Sequence, residues 1–192
     1  MADFHIGHSV TMGNEGGYAN NPADRGGETW MGISRNNWRT WQGWAIVDRI
    51  KAEKPASLNH ALAGDEELNK LVLEFYKNNF WDCLKLDDVE CQHVGNNLYD
   101  AAVNNGTGAG AKFLQKAVNA FTNDSLKVDG SIGPKTIAAA NSLDKKGLYD
   151  KINELRRQKY EAIIAKDSSQ AQFKHSWFSR IKPYPEVDDN MA

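Results

Sequence analysis

Apolar residues recur at three- and four-residue steps through most of the chain, the spacing that gathers them on one face of an α-helix. The clearest run lies between Asp65 and Trp81, where Leu68, Leu71, Val72, Phe75, Tyr76 and Phe80 predict a core helix. Val94, Leu98, Ala101 and Ala102, ending at Asn104-Asn105-Gly106, predict a second. Phe113, Leu114, Ala117, Val118 and Phe121 predict a third, and the two together a helical hairpin. Leu148, Ile152, Leu155, Tyr160, Ile163 and Ile164 mark a long amphipathic helix, and Phe173, Trp177, Phe178 and Ile181 a last one before Pro183 and Pro185. Asp129-Gly130-Ser131-Ile132-Gly133 is turn chemistry, with Pro134 suited to the first position of a helix through Ile137. Near the start, Asp3 is placed to cap a short helix carrying Ile6 and Val10, ending at Gly13-Asn14 and delivering Glu15. Ser34 is expected to cap a helix holding Trp38 and Trp41, with a further helical turn at Ile46, Val47 and Ile50 before Pro55.

The helical period breaks most sharply between Glu15 and Ile33. Two glycine pairs, Gly16-Gly17 and Gly26-Gly27, and Pro22 interrupt it, leaving Tyr18 to Asn20 and Thr29 to Ile33 as short strands around a polar turn. The expected fold is therefore mainly α, with a small β-hairpin appended. Such a hairpin would gather Glu15, Asp24 and Thr29 at one cleft.

Composition narrows the function classes. The 192 residues suffice for a real core in one domain or a tightly joined pair, and 41% hydrophobic with 25% charged residues is ordinary for a soluble globular chain. A net charge of -2 and a pI of 6.2 give no bulk attraction to nucleic acid or anionic membrane. No run of about 18 apolar residues encodes a membrane span. Met1-Ala2-Asp3-Phe4-His5 lacks the basic and apolar regions of a signal peptide, so synthesis in the cytoplasm is expected, with delivery by other machinery if the protein acts outside. Two cysteines, Cys83 and Cys91, are too few for a disulfide framework; they are either bridged or free and partly buried.

The chemistry with the best residue types is that of paired carboxylates. Glycosidic cleavage needs a carboxylic acid that protonates the leaving oxygen and usually a second carboxylate that activates water or attacks carbon. Glu15 and Asp24 suit these roles, and neighbouring glycines would admit a polymer close to the backbone. The same residues also suit a plain tight hairpin with a surface glutamate. The tryptophans Trp30, Trp38, Trp41 and Trp44 are either a sugar platform or packing residues, and Trp30 lies inside the candidate site. Rival sites are weaker. Gly106-Thr107-Gly108-Ala109-Gly110-Ala111-Lys112 joins two helices and follows no strand, unlike a phosphate loop. Cys83, Cys91 and His93 lack paired metal-ligand spacing, Asp124 to Gly130 lacks the glutamate of a calcium loop, and His5 and His8 read as surface or packing residues. No cofactor or metal is expected. The mixed run Lys151, Arg156, Arg157, Lys159 reads as a solvated face and not a nucleic-acid site.

The run EGGYANNPADRGGETWMGIS, Glu15 to Ser34, resembles the signature of the N-acetylmuramidases of glycoside hydrolase family 108. EFYKNNFWD (Glu74 to Asp82), YDAAVNNGTGAGAKFLQKAVN (Tyr99 to Asn119), DGSIGPKT (Asp129 to Thr136) and FKHSWFSRI (Phe173 to Ile181) resemble later parts of the same family, so the resemblance spans nearly the whole chain. It implies a lysozyme-like helical fold whose hairpin carries the active site, in a catalytic part over 1–95, a helical peptidoglycan-binding part over 96–182 and a tail over 183–192. It also implies hydrolysis of the β-1,4 bond between N-acetylmuramic acid and N-acetylglucosamine in bacterial peptidoglycan, with Glu15 as catalytic acid. The order Glu15, Asp24, Thr29 resembles the catalytic triad of phage-type lysozymes, except that the threonine there falls one residue later. Tyr18, Asn20 and Trp30 are candidate sugar contacts by position, and Asp100 and Asn104 by their place in the family-like helix; Asn104 serves equally as a helix C-cap. A monomer is expected, released by a phage holin or injected by a secretion system. A lytic transglycosylase and an inactive wall-binding module are the alternatives.

Overall fold

In the computed structural model the glycine-marked break in the helical period holds a small sheet, and the chain divides into two compact units. The structure describes residues 1–13, 16–20, 26–123 and 125–186. One unit is Met12–Asn78; the other joins Met1–Thr11 to the chain from Asn79 onward.

In the first unit, strands β1 (Ala19–Asn20), β2 (Glu28–Trp30) and β3 (Ile33–Ser34) form an antiparallel sheet in that order. Ala19 pairs with Thr29 and Asn20 with Glu28, then Thr29 with Ser34 and Trp30 with Ile33. The expected single strand from Thr29 to Ile33 is thus two. Met31 (φ 47°) and Gly32 (φ 77°) form a two-residue connection with both residues left-handed, the type I′ geometry that suits hairpin twist. The left-handed conformation is unfavourable for methionine. It is held by the Tyr76 hydroxyl, which donates to the Met31 carbonyl at 2.7 Å. A Cβ at Gly32 would stand 2.7 Å from that hydroxyl.

The helix expected after Ser34 does not form. Ser34 belongs to β3, and its hydroxyl donates to the Gly26 carbonyl at 2.6 Å. The Trp38 carbonyl, which a continuing helix would need, accepts from the Trp44 indole N–H at 2.8 Å and from the Trp41 N–H at 3.1 Å. Helix α2 (Gly43–Ala52) therefore starts later and buries Trp44, Ile46, Val47 and Ile50. Helix α3 (Leu58–Ala63) escapes the periodicity because only Leu62 of its six residues is buried; Ser57 caps it. Helix α4 (Glu66–Tyr76) is capped by Asp65, which accepts from Leu68 N–H at 2.8 Å, and it buries Leu68, Val72, Phe75 and Tyr76. The expected run to Trp81 continues only as a π-helical turn, Lys77–Trp81.

In the second unit, Asp3 caps α1 (Phe4–Met12) by accepting from the N–H groups of His5 and Ile6. The buried face is not the expected one: Ile6 and Val10 are exposed, whereas Phe4, Gly7 and Thr11 are buried. A Cβ at Gly7 would lie 2.5 Å from the Trp81 ring, so the side without a side chain is the one that seats on the indole. Trp81, Phe4 and Tyr99 meet edge to face at 5.5–6.0 Å.

Helices α5 (Gln92–Asn105) and α6 (Thr107–Asn119) form the expected hairpin, turning at Gly106 (φ 85°). Phe121 lies beyond the end of α6 and is exposed. Helix α7 (Pro134–Asn141) carries Pro134 at its first turn, α8 (Lys145–Lys166) packs on α5 and α6, and α9 (Lys174–Ser179) follows a 3-10 turn. Cys83 is exposed, Cys91 is buried, and no disulfide joins them. Among the described residues no helix is long and apolar enough to cross a membrane. The architecture is mainly α with one small sheet, as the periodicity predicts.

Candidate active site

Glu15 and Asp24 lie outside the described residues. The chain around them is built to close tolerances. Gly16 (φ 99°) presses on the β2–β3 turn, where a Cβ would stand 3.0 Å from Met31 Cα. At Gly17 a Cβ would lie 2.8 Å from Asn59 Oδ1, which accepts from the Tyr18 N–H at 2.6 Å. Gly27 (φ 65°) would bring a Cβ within 2.6 Å of Asn36 Nδ2. These glycines are explained by backbone conformation and packing whether or not a polymer approaches.

Thr29 sits at the centre of the sheet, paired on both sides. Strand alternation puts Glu28 and Trp30 on the opposite face. Trp30 is 2% exposed and packs in the core of its unit, so its indole offers no surface to a sugar. Trp44 is also core; Trp38, at 38% exposure, leans edge-on against Phe75 at 4.8 Å, and Trp41 meets Trp44 at 5.2 Å. The tryptophan cluster is chiefly packing. Asn20 is exposed on the edge strand.

Glu28, which the residue types alone did not single out, is the electrostatic hub of this region. Its side chain is 11% exposed, and Oε1 accepts from Tyr18 Oη at 2.7 Å and from Lys51 Nζ at 2.5 Å. Arg35 Nε lies 2.7 Å from Oε2, a charge contact without hydrogen-bond alignment. The same guanidinium donates two bonds to Asp48 and lies 4.4 Å over the Trp44 ring. The sequence signal was the i, i+2 spacing of Glu28 with Trp30: a carboxylate on the face of a buried indole needs cations. Tyr18 is therefore tied to Glu28 through its hydroxyl.

Burial works against ionising Glu28, but hydrogen bonds from Lys51 and Tyr18 and the charges of Arg35 and Lys51 outweigh it, holding the carboxyl below the usual glutamate value. A folded-state value below the unfolded one gives stability that is present above the ordinary value of 4.5 and lost as pH falls through the lower, folded value. Acid titration of the unfolding midpoint should show a loss below that pH that Glu28→Gln removes, amounting to about 1–2 kcal/mol. An unchanged acid limb in the variant would contradict it.

Asp100 and Asn104 fall in the other unit and are engaged within it. Asp100 accepts from Arg156 and, at 2.9 Å, from Arg180 Nη1, while Asn104 Nδ2 donates to the Asp100 carbonyl and carboxylate. Arg156 is 1% exposed and also donates to Asn97 Oδ1 at 2.5 Å. A carboxylate whose two oxygens are both held by guanidinium groups positions helices, so the expected sugar contact at Asp100 is replaced by a structural ion pair. Asp129 closes its turn by accepting from Gln115 and Ser131 N–H, and His8 packs at half burial with Nδ1 2.8 Å from Tyr99 Oη. Among the described residues no three His, Cys, Asp or Glu side chains are grouped to hold a metal ion.

The chain matches the family model described as Glycosyl hydrolase 108 over residues 8–106, and the model described as Predicted Peptidoglycan domain over residues 109–182. It is similar to the solved structure of SagA from Brucella abortus, with a TM-score of 0.63 and 24% identity, covering 93% of this chain and 88% of that one. That likeness is one of fold. No curated protein matches the chain.

Proposed function

The chain belongs to the glycosyl hydrolase 108 family and is a peptidoglycan hydrolase of lysozyme-like fold, and from that premise we propose that it is an N-acetylmuramidase with Glu15 as general acid. The scissile bond is the β-1,4 link from N-acetylmuramic acid to N-acetylglucosamine. One observation supports Glu15 above all: the backbone immediately after it is clamped, Gly16 against Met31, Gly17 and Tyr18 against Asn59, and Tyr18 to Glu28. A catalytic acid needs such a rigid support.

In the proposed reaction the Glu15 carboxylic proton goes to the bridging oxygen as its bond to the muramic C1 breaks. Asp24, with Thr29, takes a proton from a water that attacks C1 from the opposite face, giving a reducing muramic end of inverted configuration. Asn20, and the ring of Tyr18, are the sugar contacts in this scheme. The catalytic part is taken as 1–95 and the wall-binding part as 96–182, with 183–192 as a tail. The test is mass spectrometry of sacculi digested by the purified protein. Reducing muramic ends are expected; anhydro-muramyl ends would make it a lytic transglycosylase, and pelleting with sacculi without new ends would make it a binding module.

A further inference from the structure

Helices α6 and α8 enclose a groove of about 520 Å³ lined by Lys112, Lys116, Lys159, Gln158, Phe113 and Leu155, with no acidic residue in its lining among the described residues. Its volume is that of a small-ligand site. None of the three lysines has an acidic partner among the described residues. Lys112 and Lys116 are exposed, while Lys159 is half-buried with its Nζ 5.6 Å from the centre of the Phe113 ring. Burial lowers the Lys159 pKa, the mark of an ammonium group drawn from water without a counter-charge. Phe113 is 6% exposed, so the groove presents no open aromatic face on which a sugar could stack.

These features distinguish the two components of peptidoglycan. Its N-acetylated glycan backbone carries no charge of its own and gains little from three ammonium groups; its stem peptides end in carboxylates and carry apolar alanine methyls. We propose that the α6–α8 groove binds the carboxylate-bearing stem peptide of peptidoglycan, so that this half of the chain grips the wall by its peptides and not by its glycan. The proposal rests on the reading of the chain as a peptidoglycan hydrolase, and all the lining residues fall within the matched peptidoglycan-domain segment, 109–182. The carboxylates would pair with Lys112 and Lys116 at the mouth and with Lys159 within, and the methyl groups would lie against Leu155.

The test is equilibrium binding by the full chain, read by calorimetry, to the free stem tetrapeptide, to the same peptide with its carboxylates amidated, and to the uncharged glycan disaccharide of two N-acetylglucosamine units. The free peptide should bind at least about tenfold more tightly than its amidated form, and Lys112→Glu with Lys116→Glu should remove that difference while circular dichroism stays unchanged. Equal affinity for free and amidated peptide, or unchanged binding in the double variant, would overturn the proposal, as would stronger binding of a polyglycerol phosphate in competition. Because the free peptide contains no glycosidic bond, this outcome is independent of whether the chain proves to be a muramidase.

Discussion

Glu15→Gln is expected to lower the rate of wall lysis by about 10²–10⁴-fold, the range over which a positioned general acid contributes. Glutamine keeps the size and most hydrogen-bonding capacity of the side chain but holds no proton to give, so the leaving sugar oxygen must depart as an alkoxide. Turbidity loss of purified sacculi gives the rate, and thermal unfolding should show a midpoint close to the parent's. A variant that lyses within about threefold of the parent would remove Glu15 from the mechanism, whereas one that no longer folds would leave a structural role in its place. Asp24→Asn, measured alongside, addresses the water-activating step. A comparable loss supports inversion with Asp24 as base, and a small one points to the substrate's own acetamido group as the nucleophile.

Asp100→Ala is expected to destabilise the protein by about 3–5 kcal/mol without touching the chemistry. It would strip the partner from Arg156, 1% exposed, and from Arg180, leaving a buried guanidinium with only neutral acceptors at Asn97. Denaturant unfolding should show the lower midpoint, and the rate on sacculi, measured where the variant is still folded, should match the parent's. A variant of normal stability with weakened substrate affinity would restore Asp100 as a sugar contact. The same logic explains why the basic run on α8 is not uniform: Arg157 is exposed, whereas Arg156 turns inward, a rotation of one position that composition does not reveal.

Much of the helical framework could be read from spacing, because an amphipathic face declares itself wherever the residues that face the core are apolar. The run at Leu68 to Tyr76 meets that condition throughout, and those at Val94 to Ala102 and Leu148 to Tyr160 meet it except at the buried Asn97 and Arg156. At α1 the rule misleads, since the buried stripe includes Gly7 and Thr11 while Ile6 and Val10 face outward. A glycine pressed against Trp81 contributes shape and not hydrophobicity, and a periodicity of apolar residues does not register it. The helix that spacing predicts after Ser34, holding Trp38 and Trp41, likewise does not form, because the Trp44 indole takes the Trp38 carbonyl that it would require.

The sequence by itself determined the family, the glycine-marked hairpin and the identity of its candidate carboxylates, since those depend on which residue types occur at which spacing. Tertiary structure alone decided which polar side chains are already spoken for. It turned Glu28 into the hub of Tyr18, Arg35 and Lys51, moved Trp30 from a sugar surface to the core, and bound Asp100 to two arginines. It also brought Lys112 and Lys116 of α6 alongside Lys159 of α8. The reason is physical. Burial and ion pairing arise between residues far apart in the chain, and a local pattern carries no record of which distant partner will neutralise a charge or cover a ring.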